Sequence, residues 1–342
     1  MTDAQWGTLL KAVNGGIIDP APAAFIIDSP WLPNWYGVRI LDYFSNDDIW
    51  FKANLKAIES FPEVIFLPGF WSEYGMCTEP SAFGARSSFP ADEFPHAHRV
   101  IRSMDDIDEL HQPDPRTDGL LPFVLNRLLL ARGPMEKLGH RSRIAVCRGP
   151  LNIASYLMGS TEFLTTMMMD PGKAHSLLEK ITTFLIDWVD LQRSSLSSIE
   201  GLLVLDDIIG FLGEPEFMEF GFPYFKRLFT KDLALRFLHN DAPCAVSAPH
   251  LVDMGVNLFN PGFDLSLSEL KASAGPGLAI LGNLPPRDVL AAGAPEKVHE
   301  ETLAMRNALS DRSGIVFSCG GGMPPGVSSE NLRAFLNALR NW

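Results

Sequence analysis

Eight short apolar runs punctuate the chain, and each gives way to a polar residue or a glycine. They are AFIID (24–28), VIFLPG (64–69), IAVCRG (144–149), LLVLDD (202–207), LRFLHND (235–241), VNLFN (256–260), LAILGN (278–283) and IVFSCG (315–320). Strict alternation of apolar and polar residues would mark a sheet with one wet face. Continuous runs are what strands covered on both faces require, as in a parallel sheet. Helical sequence lies between them. DPGKAHSLLEKITTFLIDWVDLQRSS (170–195) opens on Asp-Pro, an N-cap and a first-turn proline, and keeps Leu177, Ile181, Phe184 and Trp188 at helical spacing. Segments 213–233 and 294–314 are patterned alike. A short helix is expected behind Asp3, and Ser328-Ser329-Glu330 suits the start of a closing helix that runs toward Trp342.

Strands and helices in this alternation predict an α/β fold, a closed (β/α)8 TIM barrel. An open doubly wound sheet would carry a GxGxxG turn after an early strand, and no such turn occurs. Residues 1–342 read as a single barrel domain with an N-terminal extension. The proline-rich stretch of about 70–125 reads as a lid-like insertion within it.

Barrels of this kind keep their chemistry at the C-terminal ends of the strands. That rule selects Glu73 beyond the second run, Arg148, the pair Asp206-Asp207, the trio His239, Asn240 and Asp241, then Asn260, Asn283 and Cys319. Singly, His239 could be a hydrogen-bonded structural group and Cys319 a packing residue. Asp206-Asp207 could be a solvated acid pair, or a base, metal ligand or substrate anchor. Taken together, His239, Cys319 and Asp241 offer one nitrogen, one sulfur and one carboxylate, a set zinc accepts while keeping a fourth position open. Gly320, Gly321 and Gly322 permit close backbone approach. No Lys-Ser or Lys-Thr follows them, which excludes a P-loop. Cys77 is a second-rank thiol, and Met167–Met169 is expected to pack a helix.

Charge narrows the partners. With 41 acidic against 28 basic residues the net charge is -13, which speaks against nucleic acid and anionic lipid. The four cysteines form no CxxC pair, and neither a signal peptide nor a membrane span is apparent. A cytoplasmic protein with reduced thiols is expected.

Several segments carry a family resemblance: RGPLNIASYLMGSTEFLTTMMMDP, LVLDDIIGFLGEPEFMEFGFPYFKRLF, LHND, MGVNLFNPGFDLSLSELKASAG, LAILGNLPP and SCGGGMPPGVSSENLRAFLNAL. Over roughly residues 144–340 they resemble the uroporphyrinogen decarboxylase superfamily. GNLPP is similar to that family's Gly-Asn-hydrophobic-Asp-Pro turn, and the closing GxPxxxxxEN is a further match. The resemblance implies a distorted (β/α)8 barrel. Decarboxylases of the family carry an N-terminal arginine-bearing stretch that holds substrate carboxylates, whereas DSPWLPNWYGVRILDYF offers only Arg39. The corrinoid-dependent methyltransferases instead hold zinc by His-x-Cys and a later cysteine. His239 and Cys319 match that pattern, and Asp241 stands where the middle cysteine would be.

What the resemblance implies is a methyltransferase of the O-demethylase kind. It would move a methyl group from a small methylated donor, such as a methyl ether, to cobalamin carried by a separate corrinoid protein. This chain has no cobalamin-binding DxHxxG motif of its own. His239, Cys319 and Asp241 would hold zinc, and Asp206, Asp207 and Glu73 would be catalytic. Asn240, Asn260, Asn283 and Arg148 would face substrate. A homodimer is left open. The alternatives are a decarboxylase of porphyrin biosynthesis, with Asp206 or Asp207 on pyrrole nitrogens, and a binding barrel without catalysis.

Overall fold

A computed structural model of the chain describes residues 1–27, 30–230 and 232–340. Each apolar run contains one strand: β1 Ala23–Ile26, β2 Val64–Leu67, β3 Ile144–Arg148, β4 Gly201–Leu205, β5 Leu235–Asn240, β6 Leu258–Pro261, β7 Ala279–Leu284 and β8 Ile315–Cys319. All the pairings among them are parallel. Every residue of β1, β2, β6, β7 and β8 is buried, which is why these runs do not alternate. Asp28 at the end of the first run, Lys231 in a predicted helix, and Asn341 and Trp342 at the end of another lie outside the described residues.

The strand order is β2-β1-β8-β7-β6-β5-β4-β3, so the eight strands curl into a barrel with an unpaired seam between β2 and β3. Where closure by hydrogen bonds was expected, side chains take over. Gln192 accepts from the Val146 N–H at 3.1 Å and donates to the Val146 carbonyl at 3.0 Å, standing in for a neighbouring strand. Glu79 accepts from the Arg148 N–H at 3.2 Å one step further along the same edge. Buried backbone groups at an open edge need such partners. The chain between β2 and β3 covers the seam with a helix Thr78–Ala82, a two-residue antiparallel ladder (Ser87–Ser88 with His96–Ala97), a helix Asp105–Glu109 and a long helix Leu121–Lys137.

The helix Pro171–Ser195 forms as expected, with the Asp170 side chain accepting from the Lys173 N–H. Ser328 caps the closing helix Ser329–Leu339. Thr2, rather than Asp3, caps the first helix, in a reciprocal pair with Gln5. The expected helix over 213–233 is broken into a helical turn at Glu214–Glu216, a widened turn at Phe217–Gly221 and a helix Phe222–Leu228. Pro223 supplies no N–H to an i→i−4 bond, so a regular helix cannot run through that junction. Among the described residues no helix is long and apolar enough to cross a membrane.

Candidate functional site

The parallel register brings the sequence-selected positions to one end of the barrel. His239 lies opposite Leu205 on one side and Asn260 on the other, while Asn283 faces Ser318 and Cys319 faces Leu284. The loop after β4 is fixed first. Asp206 is fully buried, and its carboxylate accepts from the N–H groups of Leu151 at 2.9 Å, Asn152 at 3.0 Å and Ile208 at 3.1 Å. Two of these donors belong to the first turn of the helix Pro150–Met158, where a negative group is favoured. Burial pushes the Asp206 carboxyl up to about 8, with Asp207 adding to the rise and the amide donors opposing it. With both oxygens engaged by backbone, Asp206 works as a strap between β4 and the helix after β3. Asn152 completes the strap by accepting from the Asp207 and Ile208 N–H groups.

Asp207 is thereby held over the mouth. Its Oδ1 accepts from the Asp241 N–H at 2.8 Å, clasping the loops after β4 and β5 together. His239 is 6% exposed, and its Nδ1 lies 2.8 Å from Asn260 Oδ1. The Asn260 amide donates through Nδ2 to the carbonyls of Leu281 at 2.7 Å and Cys319 at 3.3 Å, which leaves Oδ1 as an acceptor. His239 must therefore carry its proton on Nδ1 when neutral. Nε2 then presents a lone pair to the mouth, 3.7 Å from Asp241 Oδ1.

Asp207, His239 and Asp241 each offer a ligand atom, and those atoms all lie within 4.8 Å of one another. Asp241 keeps 54% of its side chain accessible, yet the crowding at its carboxylate raises its pKa, by burial first and by Asp207 next, with His239 opposing. Its approach depends on Gly321. That residue has φ +74°, and a Cβ there would overlap the Asp241 carboxylate. The three-glycine run is thus a clearance for an acid on a neighbouring loop.

The other selected residues are placed differently. Cys319 is buried, and its thiol donates to the Gly321 carbonyl at 3.5 Å; it is not one of the three clustered ligands. Asn283 donates to the carbonyls of Gly262 and Leu265, and Asn240 accepts from Ala242 N–H while fully buried. Glu73 pairs with Arg148 at 2.6 Å, and Glu79 reaches the same guanidinium at 3.3 Å. All three are buried. Burial works against the Arg148 charge, but the two glutamates hold its pKa above the ordinary value. Burial raises Glu79, with Arg148 opposing. Tyr156 stands within the field of Arg148 and Asp207, its hydroxyl pKa raised chiefly by burial. Asn152, Tyr156 and Glu79 were not singled out in the sequence, and Gly321 was named there only as permitting close backbone approach. Only the Gly-Pro that opens the helix after β3 and the glycine run hinted at them.

Comparison with known proteins gives this geometry a context. Residues 9–342 match the family model described as uroporphyrinogen decarboxylase (URO-D). Among curated relatives, a uroporphyrinogen decarboxylase of Anaeromyxobacter sp. is 26% identical over 72% of this chain and 70% of its own length. A uroporphyrinogen decarboxylase of Psychromonas ingrahamii is 24% identical over 99% of this chain and 98% of its own. Among solved structures, a methyltransferase from Methanosarcina mazei superposes with a TM-score of 0.81 at 18% identity, covering 97% of this chain and 96% of that one. A B12-independent methionine synthase from Shewanella superposes at 0.59 with 10% identity, over 93% and 95% of the two chains.

Proposed function

The chain belongs to the uroporphyrinogen decarboxylase family, and on that premise we propose that it is a corrinoid-dependent methyltransferase. Its donor would be a small methylated compound such as a methyl ether, and its acceptor the cobalamin of a separate corrinoid protein. The observation that carries this reading is the cluster of Asp207, His239 and Asp241 with its histidine tautomer set by Asn260. One imidazole nitrogen and two carboxylates suit zinc, and Gly321 clears the space that Asp241 needs. Cys319 remains a proposed further ligand, from the end of strand β8. A bound zinc would supply Lewis acidity, stabilising negative charge on the heteroatom that loses its methyl group. For their part, Asn260 orients His239, the Asp241 N–H holds Asp207, and Asp206 and Asn152 fix the loop from which Asp207 projects. Glu73 is proposed to act through Arg148, whose charge it balances.

The two arginines singled out in the sequence are both claimed by acids of the chain. Arg148 is committed to two glutamates of the chain, and Arg39 forms a two-pronged pair with Asp42 at 2.8 Å. A porphyrinogen bearing many carboxylates would find neither guanidinium unclaimed. The names of the curated relatives favour decarboxylation as a second reading.

The test has two readouts. Zinc per chain is measured by atomic absorption in wild type, His239→Ala, Asp241→Ala and, as a core control, Cys147→Ser. Zinc near one per chain in wild type and control, with at least tenfold weaker binding in the other two, is expected. Separately, methyl transfer from methoxylated aromatics to cob(I)alamin is followed by absorbance, beside decarboxylation of uroporphyrinogen. Decarboxylation without methyl transfer would move the assignment to the second reading, and a zinc-free wild type would remove the Lewis acid.

A further inference from the structure

The small antiparallel ladder over the seam has an unusual composition on one face. Its register pairs Ser88 with His96 and Ser87 with Ala97, so Arg86, Ser88, His96 and His98 fall on the same side. Contacts agree with that placement. His98 Nε2 lies 2.7 Å from Ser88 Oγ and 3.5 Å from an Arg86 guanidinium nitrogen, and the His96 and His98 rings are 5.0 Å apart. Ser87, on the opposite face, meets the buried thiol of Cys77.

The ladder is firmly mounted. Phe89 packs edge-on against Tyr74 and Phe44, and Phe94 against Phe44. The N–H groups of Val100 and Ile101 both donate to the Leu157 carbonyl, which ties the outgoing chain to the end of the helix after β3. The donor face therefore sits on a supported element, as a binding subsite requires.

Arg86, His96 and His98 stand together in a chain of net charge -13, and among the described residues none of them forms an ion pair with an acid. The nearby acids are engaged elsewhere or held at the tip. Asp92 acts on Arg39, and Glu93 is exposed in the turn. The His98 pKa is lowered, by partial burial first, then by Arg86 and His96. Like charges are thus packed at some cost, and a guanidinium, two imidazoles and a hydroxyl share one face of the ladder. A metal cation would meet the Arg86 charge there, although two histidines at i and i+2 could otherwise chelate one. An oxyanion would meet the Arg86 guanidinium, His96 and, once His98 is protonated and donates to Ser88, the Ser88 hydroxyl, and would relieve the repulsion.

We propose that Arg86, Ser88, His96 and His98 form a subsite for a small oxyanion, a carboxylate or phosphate group, on one face of the ladder between β2 and β3. This subsite does not depend on the methyl-transfer reading, since none of its residues belongs to the metal cluster. Bound anion favours the protonated imidazole, so the titration midpoint of His98 rises with anion concentration.

Full-length protein is titrated with inorganic phosphate, and in a second arm with malonate, at constant ionic strength made up with chloride. The imidazole proton NMR signals are followed, assigned through His96→Gln and His98→Gln. Upward movement of the His98 midpoint by about half a unit or more, with His299 still, is expected. Arg86→Gln should weaken phosphate binding at least tenfold, and Ser88→Ala less, with circular dichroism unchanged. Response to malonate alone assigns a carboxylate ligand, and response to phosphate alone a phosphate. Midpoints that follow chloride as well as they follow both anions, or an Arg86→Gln variant that binds as wild type does, overturn the subsite. So does a zinc titration that shifts both histidines where neither anion does.

Discussion

Asn260 decides which nitrogen of His239 faces the mouth. Its amide cannot flip without pointing Nδ2 at the histidine and Oδ1 at the carbonyls of Leu281 and Cys319. Replacing it with Ala frees the imidazole to rotate and to protonate either nitrogen. Zinc affinity is expected to fall by about 10- to 100-fold, as when other orienting partners of metal ligands are lost. The thermal midpoint should move much less than in a core deletion. Competition with a chromophoric chelator measures the affinity, and an unchanged constant would show that Asn260 orients nothing. Individual site residues were legible where a strand ends on them: His239, Asp241 and Asp207 could be found that way. Their partnerships were not: Asn260 was selected as facing substrate and Gly321 as permitting close approach, but that Asn260 orients His239 and Gly321 clears Asp241 is assigned only by the register, and Asn152 acts from another loop. Cys319 illustrates the limit. It ends a strand as expected, but its thiol bonds the Gly321 carbonyl two residues on, a turn of the side chain that spacing does not encode.

At the scale of elements, the β3 edge of the seam is met by two helix side chains, Gln192 and Glu79. Gln192 supplies both a donor and an acceptor to Val146, so Gln192→Leu keeps the bulk and leaves two partly buried backbone groups unpaired. Each unmet group costs ~1–3 kcal/mol. The urea midpoint should drop accordingly, whereas Gln112→Leu on the exposed surface should leave it within ~0.5 kcal/mol. Equal midpoints for the two variants would mean that water satisfies the edge. All eight strands were readable as apolar runs because both faces are covered, by helices outside and by other strands within. The seam was not readable, since β2 and β3 carry the same kind of run as strands that do pair. Nor were the helices of the seam. Leu121–Lys137 exposes Phe123 and Leu130 while burying Leu121, Val124 and Leu128, so its apolar residues circle the axis instead of forming a stripe. The broken helix over 213–233 had the right periodicity and the wrong residue at 223.

For the molecule as a whole, the seam also sets a pH limit on stability. His140 enters it just before β3, only 7% exposed, its ring edge-on to Phe70 at 6.2 Å and its Nδ1 without a hydrogen-bond partner among the described residues. Burial there lowers its pKa from 6.5 to about 4, with the charge of the N-terminal amine adding to the effect. The sign follows from proton counts. Below pH 6.5 the unfolded chain takes up a proton that the folded chain refuses, so acid favours unfolding. The contribution is fully present above the unfolded pKa and is lost as pH falls through the folded one. Each pKa unit of difference is worth ~1.4 kcal/mol, giving at most ~3 kcal/mol across the window. In His140→Phe the ring still packs on Phe70 and has nothing to protonate. Between pH 7 and 4.5, urea unfolding of wild type should show stability falling with a slope that the variant lacks in part, the remainder coming from other groups. The measurement is made with chelator present, so that loss of metal from the mouth does not add its own pH dependence. Parallel slopes for the two proteins would mean that His140 is protonated within the fold, and that the seam opens to water at its base.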